Sequence, residues 1–213
     1  TRTPRLLLQE VLEQLFSTAK ITVKEDLAAA VYAATTEPGI VSILGTGSNC
    51  CYFDGKEIHT AAPALGYSLM DDASGNYYGK QLLRDYYYKK MPLQVASEFE
   101  EKYNLEPDTV KINLYKKSNP TAYLASFAEF IFLCKHNEDY FNNLIQTGVT
   151  LFIKNQVLIY KEAKQVPIHF VGSIAYFTKG IISDCLKEQG LQAGNFIKRP
   201  IDGLISYYKK EKL

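Results

Sequence analysis

The sequence predicts an α/β fold in which helices flank a mixed β-sheet. Segments of strand character alternate with helical segments along most of the chain, which favours parallel strands joined by helices. Two early strands are instead joined through Asp54-Gly55, a dipeptide typical of β-hairpins, so an antiparallel pair is also expected. A mostly helical stretch, residues 92–162, interrupts the alternation and is interpreted as an insertion between two halves of the fold.

The early part of the chain contains signals for two helices and three strands. Thr3-Pro4 is typical of a helix start, and apolar residues recur at helical spacing over residues 8–16. The β-branched residues 21–23 predict a strand, and the Ala-rich residues 26–35 predict a helix. Buried or hairpin strands are expected at residues 40–44, 49–53 and 56–60.

The later elements follow from the same patterns. A glycine-containing loop over residues 66–75, which we call the acidic loop, leads into a helix that ends near residue 90. Strand character returns at residues 166–171 and 195–197. Further helices are expected at residues 98–103, 108–116, 121–136, 141–160, 173–190 and 202–209.

The composition excludes several classes of protein. Of the 213 residues, 46% are hydrophobic and 22% are charged, which is the mix of an ordinary globular chain rather than a disordered one. The 24 basic and 23 acidic side chains leave a net charge of +1, so we expect neither nucleic acid nor a membrane surface as a partner. No apolar run approaches the ~20 residues of a membrane helix.

The cysteines and histidines give no sign of a metal or redox centre. Adjacent Cys50 and Cys51 point to opposite faces of a strand and are poorly placed to bridge each other. With no signal peptide visible, we expect reduced, buried thiols in a cytoplasmic protein. The spacing of these residues fits neither a zinc nor a redox motif: Cys50, Cys51, Cys134, Cys185, His59, His136 and His169.

The turn Gly45-Thr46-Gly47-Ser48, which we call the glycine turn, is the strongest candidate for a binding site. Its glycines let the backbone approach a ligand closely, and successive N–H groups in such a turn form a nest for anions. Hydroxyl groups at positions 46 and 48 suit phosphate oxygens. The alternative is a tight hairpin without a ligand, and we favour binding because the turn follows a buried strand directly.

Three other places carry weaker signals. Asp26 heads a helix, where a carboxylate is more often a simple cap than a catalytic group. In the acidic loop, Asp71 and Asp72 suit sugar hydroxyls or a metal ion, or the loop is solvated and only caps the next helix. Gly172-Ser173 ends a strand and opens a helix, which suits a nucleotide, although plain strand-to-helix turns are common.

Taken in order, these motifs resemble those of one family. Asp26 before an Ala-rich helix, Gly-Thr-Gly-Ser-Asn at residues 45–49, Gly-Tyr at 66–67, Asp-Asp-Ala-Ser-Gly at 71–75 and a distant Val-Gly-Ser at 171–173 resemble N-acetylglucosamine kinases. Those enzymes belong with the BadF/BadG/BcrA/BcrD-type ATPases in the actin-like, sugar kinase and Hsp70 ATPase superfamily. The resemblance covers nearly the whole chain and implies a ribonuclease H-like (actin-like ATPase) fold.

The resemblance also implies an activity and a site. It implies ATP- and Mg²⁺-dependent phosphorylation of N-acetylglucosamine or glucosamine at the 6-hydroxyl, by a homodimer, with no protein ligands assigned to a metal. Asp26 matches the general base. The phosphate- and ATP-binding positions are Gly45, Thr46, Gly47, Ser48, Gly172 and Ser173, and the sugar-binding positions are Asn49, Gly66, Tyr67 and Asp71.

Two departures from the family pattern lead to further expectations. The opening Asp-Gly-Gly-(Ser/Thr)-x-(Ser/Thr) hairpin is absent, so we expect residues 1–36 to be the remainder of an N-terminal lobe, residues 37–213 to be the C-terminal lobe, and this chain to be incomplete for catalysis. Met70 and Ala73 replace two glycines of the family's loop. The alternatives are a non-catalytic sugar sensor derived from a kinase, or an activator ATPase of the same family, whose iron–sulfur cysteines are not matched here.

Overall fold

A five-stranded mixed sheet organises residues 4–212, which the computed structural model describes. The sheet order is β3-β2-β1-β4-β5. β1, β2 and β3 are antiparallel neighbours, whereas β4 and β5 run parallel to β1, so the predicted mixed sheet is confirmed. The strands are β1 (Gly39–Leu44), β2 (Ser48–Phe53), β3 (Ile58–His59), β4 (Ile168–Val171) and β5 (Ala193–Ile197).

The helices occupy most of the remaining chain. The bounds are α1 (Pro4–Leu15), α2 (Asp26–Ala34), α3 (Gly75–Tyr87), α4 (Leu93–Lys102), α5 (Pro107–Tyr115), α6 (Pro120–Phe127), α7 (Phe130–Leu133), α8 (Glu138–Phe152), α9 (Ser173–Phe177), α10 (Lys179–Glu188) and α11 (Pro200–Lys212). A π-helical segment, Ile153–Val157, continues α8. None of the described helices is long and apolar enough to cross a membrane.

The strand register decides where the glycine turn lies. The β1–β2 hairpin pairs Leu44 with Ser48, so the turn sits at the carboxyl end of β1. β4 is parallel to β1 and pairs Val171 with Ile43, so β4 ends at the same edge of the sheet. Gly172 therefore follows its strand at the edge that carries the glycine turn.

Helices cover both faces of the sheet because neighbouring residues of a strand point to opposite sides. On one face, α2 buries Leu27 and Val31 against Val41 and Cys51. α11 packs beside α2, where the rings of Tyr32 and Tyr207 stack at 4.8 Å between centroids. The other face supports a larger cluster that includes Ile40, Leu44, Cys50, Tyr78, Phe99, Phe127, Phe152 and Phe170.

The helical stretch is fixed to the sheet through a close contact between α3 and α6. A Cβ atom on Gly79 of α3 would lie 1.8 Å from the carbonyl oxygen of Leu124 in α6. Only glycine permits that approach, which buries Leu82 and Phe127 in the larger cluster. In the sequence, Gly79 stands as an isolated glycine within a helical pattern, which is a signal for such a close helix contact.

Two predicted strands are wrong or too long. Residues 21–23 form no strand and have no partner in the described sheet, since β-branched residues favour strands only where a neighbour offers hydrogen bonds. The strand predicted over residues 56–60 shrinks to Ile58–His59. The Asp54 carboxylate accepts the N–H groups of Lys56 and Glu57 at 2.8 and 2.7 Å, which diverts them from the sheet.

Three predicted helices are interrupted. The helix expected over residues 121–136 divides at Ala128 and Glu129, where hydrogen bonds of the tighter i to i+3 type replace helical ones. The helix after Gly172 divides at Thr178, whose hydroxyl donates to the Ile174 carbonyl at 2.8 Å. The helix over residues 141–160 ends at Phe152 and becomes π-helical.

The first helix is confirmed but contributes nothing to either core. None of the residues of α1 is buried, and Leu8 and Val11 are half exposed. Thr3, predicted at its start, lies outside the described residues. The proposed lobe boundary near residue 36 stays a prediction, and α2, on its amino-terminal side, packs directly on the sheet.

Thiol reactivity should follow burial. Cys50, Cys51 and Cys185 are buried, as predicted, whereas Cys134 is partly exposed. Burial raises the pKa of Cys50 and of Cys51 to about 12, so both remain protonated near neutral pH. We expect Cys134 to react first with Ellman's reagent at pH 8, and the other three thiols to react only after unfolding. Cys134→Ser should remove the first equivalent, and rapid labelling of Cys50 or Cys51 in the native protein would contradict the buried placement.

Candidate active site

The glycine turn is hydrogen-bonded to the first turn of α3. The N–H of Gly75 donates to the Gly45 carbonyl at 2.8 Å, and the N–H of Asn76 donates to the Thr46 carbonyl at 2.9 Å. A further bond of 3.0 Å, from Gly45 N–H to the Gly47 carbonyl, closes the turn itself. The positive end of the α3 dipole therefore lies directly behind the turn, which favours an anion in front of it.

Ser48 offers an unused donor at this place. Its side-chain oxygen is buried and has no hydrogen-bond partner among the described residues. A buried hydroxyl without a partner is costly, so its persistence calls for a ligand or a water. A phosphate oxygen that reaches the turn fits this hydroxyl as its acceptor, and the hydroxyl of Thr46 is exposed at the same turn.

Asp71 lies beneath the turn rather than in open solvent. Its side chain is only 7% exposed. Oδ1 accepts the Ser48 N–H at 3.1 Å, and Oδ2 accepts the Asn76 side-chain amide at 3.2 Å. A Cβ atom on Gly47 would lie 2.9 Å from Oδ2, so the second glycine of the turn makes room for this carboxylate. Because an ionised carboxylate has about four acceptor sites, Asp71 keeps capacity for a ligand hydroxyl.

Asn76 was missed in the sequence. It is 3% exposed and connects the turn, through its backbone N–H, with Asp71, through its side chain. The available signal was an amide side chain in the first turn of a helix, directly before two tyrosines that pack in the core. A buried polar residue among aromatic ones is informative because its hydrogen-bonding groups need partners.

Gly172 joins the end of β4 to the glycine turn. It adopts φ +123°, and a Cβ atom there would lie 2.3 Å from the Leu44 carbonyl oxygen and 3.2 Å from the Gly45 nitrogen. The glycine is thus needed for backbone-to-backbone contact between β4 and β1. Ser173 follows, exposed at the start of α9.

Asp26 and Asn49 share the other face of the sheet. Asn49 lies two residues before Cys51 on β2, so both point toward α2. Asp26 begins α2, which packs on β2, and its neighbour Leu27 lies in the same cluster as Cys51. Asp26 is exposed and accepts the Leu27 N–H at 2.8 Å, whereas Asn49 accepts the Cys50 N–H at 2.9 Å.

Gly66 and Tyr67 begin the acidic loop. Gly66 adopts φ +78°, and its carbonyl accepts the Met70 N–H at 2.8 Å. Tyr67 packs partly against the larger cluster, on the face of the sheet opposite to α2. Later in the loop, Asp72 accepts the side-chain amide of Asn155, from the π-helical segment, at 2.9 Å.

The structure therefore brings some predicted site residues together and leaves others apart. The glycine turn, Asp71 and Gly172 are in direct contact. No hydrogen bond in the described part of the chain joins Asp26 or Tyr67 to that group. Over residues 4–212, no group of three or more acidic, histidine or cysteine side chains is placed to hold a metal ion.

Solved structures of several proteins are similar to this one, among them the following three. A "Putative N-acetylglucosamine Kinase" from Porphyromonas gingivalis is 31% identical with a TM-score of 0.92, and the match covers 100% of this chain and 75% of that chain. A second protein of that description, from Chromobacterium violaceum, is 17% identical with a TM-score of 0.64, covering 94% and 71%. A ROK family glucokinase from Streptomyces griseus, solved with glucose and AMPPNP, is 11% identical with a TM-score of 0.51, covering 95% and 71%.

These similarities bear differently on the predictions. The last two show the fold alone, and with the mixed sheet they confirm the predicted ribonuclease H-like fold class. The first extends the likeness to sequence over the whole chain. The chain matches no protein-family model and no curated protein. The narrower assignment to the BadF/BadG/BcrA/BcrD group stays a prediction.

The contact at Gly172 can be tested by adding one methyl group. We expect Gly172→Ala to lower the free energy of unfolding by about 2 kcal/mol or more, because it combines a backbone clash with a left-handed φ. Urea denaturation measures the change. Gly45→Ala is the matched control, since a Cβ atom there meets nothing within 4 Å. Equal stability of both variants and the wild type would contradict the close approach of β4 to the turn.

Proposed function

This chain belongs to the family of N-acetylglucosamine kinase-like sugar kinases, and we propose that it transfers the γ-phosphoryl group of ATP to the 6-hydroxyl of N-acetylglucosamine or glucosamine. The observation that carries the proposal is the glycine turn, which is hydrogen-bonded to the amino end of α3 and contains the buried, unpartnered Ser48 hydroxyl. An anion with several oxygens suits this arrangement, and the phosphates of ATP are such an anion.

The proposed site divides its residues between the two substrates. The N–H groups of Thr46 and Gly47, which have no hydrogen-bond partner among the described residues, and the Ser48 hydroxyl hold phosphate oxygens. The Thr46 side chain lies at the exposed side of the turn. Gly172 and Ser173, beside the turn, lie against the nucleoside. Mg²⁺ enters with the phosphates, an ordinary mode of binding for this ion. The proposed sugar contacts are Asn49, Gly66, Tyr67 and Asp71.

Asp26 is the proposed general base. One of its oxygens accepts the Leu27 N–H, and the other has no hydrogen-bond partner among the described residues. In the reaction, the sugar oxygen forms a bond to the γ-phosphorus while the bond from that phosphorus to the ADP oxygen breaks. Asp26 takes the proton of the sugar hydroxyl. Such chemistry depends on alignment and charge stabilisation more than on covalent participation by the protein.

The remaining expectations belong to the same proposal. They are a homodimer and two lobes that meet near residue 36, with residues 92–162 inserted in the second. The sugar sensor is retained as the second candidate because Ala73 holds φ +57° in a position where the resembled family has glycine. A sensor binds sugar without turnover, so a measurement of ADP release distinguishes the sensor from the kinase.

The base is tested by ADP release from the full-length protein with ATP, Mg²⁺ and a panel of glucosamine, N-acetylglucosamine, N-acetylmannosamine and glucose. We expect turnover on an amino sugar, and a loss in kcat of about 10²–10⁴ in Asp26→Asn, because the hydroxyl proton loses its acceptor. Asp139→Asn, also in the first turn of a helix, is the matched control and should keep full activity.

The outcomes distinguish the candidates. Full activity in Asp26→Asn would remove Asp26 from the mechanism while leaving the kinase in place. Sugar binding without ADP release would favour the sensor. Neither binding nor turnover on any of the four sugars, in a folded protein, would sink the amino-sugar kinase.

The Ser48 hydroxyl is tested through binding and stability together. We expect Ser48→Ala to weaken AMPPNP binding by about tenfold or more, since a hydrogen bond to a charged acceptor is lost. Its melting temperature should stay the same or rise, because the hydroxyl has no partner in the free protein. Ser42→Ala is the control: this buried hydroxyl on β1 lies 3.4 Å from the Cys50 sulfur and should not affect nucleotide affinity. Unchanged calorimetric affinity in Ser48→Ala would contradict the phosphate contact.

A further inference from the structure

A buried polar network underlies the two proposed substrate sites. The Asp71 carboxylate takes one hydrogen bond from Ser48 N–H, in the glycine turn, and one from the Asn76 side chain, in α3. The Asn76 backbone N–H donates to the Thr46 carbonyl. The network is thus a closed ring that joins the acidic loop, the glycine turn and α3.

The ring is not needed to cap α3. Ser74 already caps this helix, because its hydroxyl oxygen accepts the Tyr77 N–H at 3.2 Å. Asn76 meanwhile keeps its own Oδ1 atom buried and without a partner among the described residues. A buried amide with one unpartnered atom lowers the stability of the fold. We therefore infer that Asn76 serves to position the Asp71 carboxylate.

The acidic loop is held in an unfavourable conformation at the same place. Asp71 and Ala73 adopt φ +69° and +57°, in the left-handed region, which aspartate tolerates but which is costly for alanine. The hydrogen bonds that the Asp71 carboxylate accepts from the Ser48 N–H and the Asn76 side-chain amide hold this conformation. A ligand that engages the remaining acceptor sites of Asp71 therefore acts on a strained loop that is bonded directly to the turn.

We propose that Asp71 and Asn76 couple the two substrates, so that binding of the sugar at Asp71 raises the affinity of the glycine turn for ATP. The proposal rests on the proposed function and adds Asn76 as a positioning residue that touches neither substrate. The sugar hydroxyl and the Ser48 N–H bond to the same carboxylate, so a sugar that fixes the carboxylate also fixes the turn. By linkage, ATP raises the affinity for the sugar by the same factor.

The coupling is measured by titrating AMPPNP into the full-length protein with and without saturating N-acetylglucosamine. We expect the sugar to tighten AMPPNP binding by about 5-fold or more in the wild type, and by less than about 2-fold in Asn76→Ala. Asp72→Asn is the matched control in the same loop, because Asp72 bonds to Asn155 instead of the turn, and it should retain the wild-type factor.

A charge-neutral exchange keeps the test informative if Asn76→Ala folds poorly. Asn76→Asp alone sets two carboxylates against each other where the Asp71 oxygen and the Asn76 nitrogen are now 3.2 Å apart, and should abolish coupling. The double variant Asp71→Asn/Asn76→Asp restores a donor facing an acceptor, and asparagine tolerates the left-handed conformation. We expect the double variant to recover the coupling factor to within about 3-fold of the wild type, since residues in one network are not additive.

Each result has one meaning. Coupling in Asn76→Ala equal to that of the wild type would overturn the proposal. A double variant that still binds N-acetylglucosamine but couples the two ligands no better than Asn76→Asp would overturn it too. A wild type that binds both ligands independently would overturn it as well, while the kinase proposal stands. A wild type that binds neither AMPPNP nor any of the four sugars would instead mean that the proposed function itself has failed.

Discussion

Two backbone hydrogen bonds, from the first N–H groups of α3 to the carbonyls of Gly45 and Thr46, are the contact on which the arrangement of the site depends. They fix the edge of the sheet to the helical layer and use donors that a helix cannot satisfy internally. Because those carbonyls point toward α3, the positive end of the helix dipole lies next to the glycine turn. The close contact at Gly79 packs α6 directly against α3, so the position of α6 depends on that of α3.

Strand alternation divides the predicted motif between two faces of the sheet. The Ser48 side chain points, like that of Cys50, to the face of the larger cluster, whereas Asn49, one residue on, points toward α2 with Cys51. Residues 48 and 49, which are adjacent in the sequence, thus present their side chains to opposite faces of the sheet. The proposed sugar site must therefore include the edge of the sheet, because its base comes from one face and its loop from the other.

The sequence was sufficient wherever the signal was local. The glycine turn, the Asp54-Gly55 hairpin and the Ala-rich helix follow from residue type and spacing, and all three are confirmed. The strand predicted at residues 21–23 was wrong because a strand needs a hydrogen-bonding partner. The strand predicted after Asp54 was too long because the Asp54 side chain accepts the N–H groups of Lys56 and Glu57. Asn76 was missed because its importance lies in contacts with a loop and a turn, which no periodicity reports. The roles assigned by resemblance stay predictions, and only their positions are now known.

One of the two departures in the acidic loop, Ala73, has a physical explanation in the same network. Ala73 is completely buried and belongs to the larger cluster, so its methyl group contributes roughly 0.8 kcal/mol by leaving water. That offsets part of the ~1–2 kcal/mol that a left-handed residue costs relative to glycine. The rest must come from contacts that hold the loop. These include the buried hydrogen bonds that Asp71 accepts from the Ser48 N–H and the Asn76 side chain, and the bond from the Ser74 N–H to the Asp71 carbonyl at 3.2 Å. Replacing glycine by alanine therefore makes the loop more dependent on its contacts with the glycine turn, which is the condition that the proposed coupling between two substrates requires.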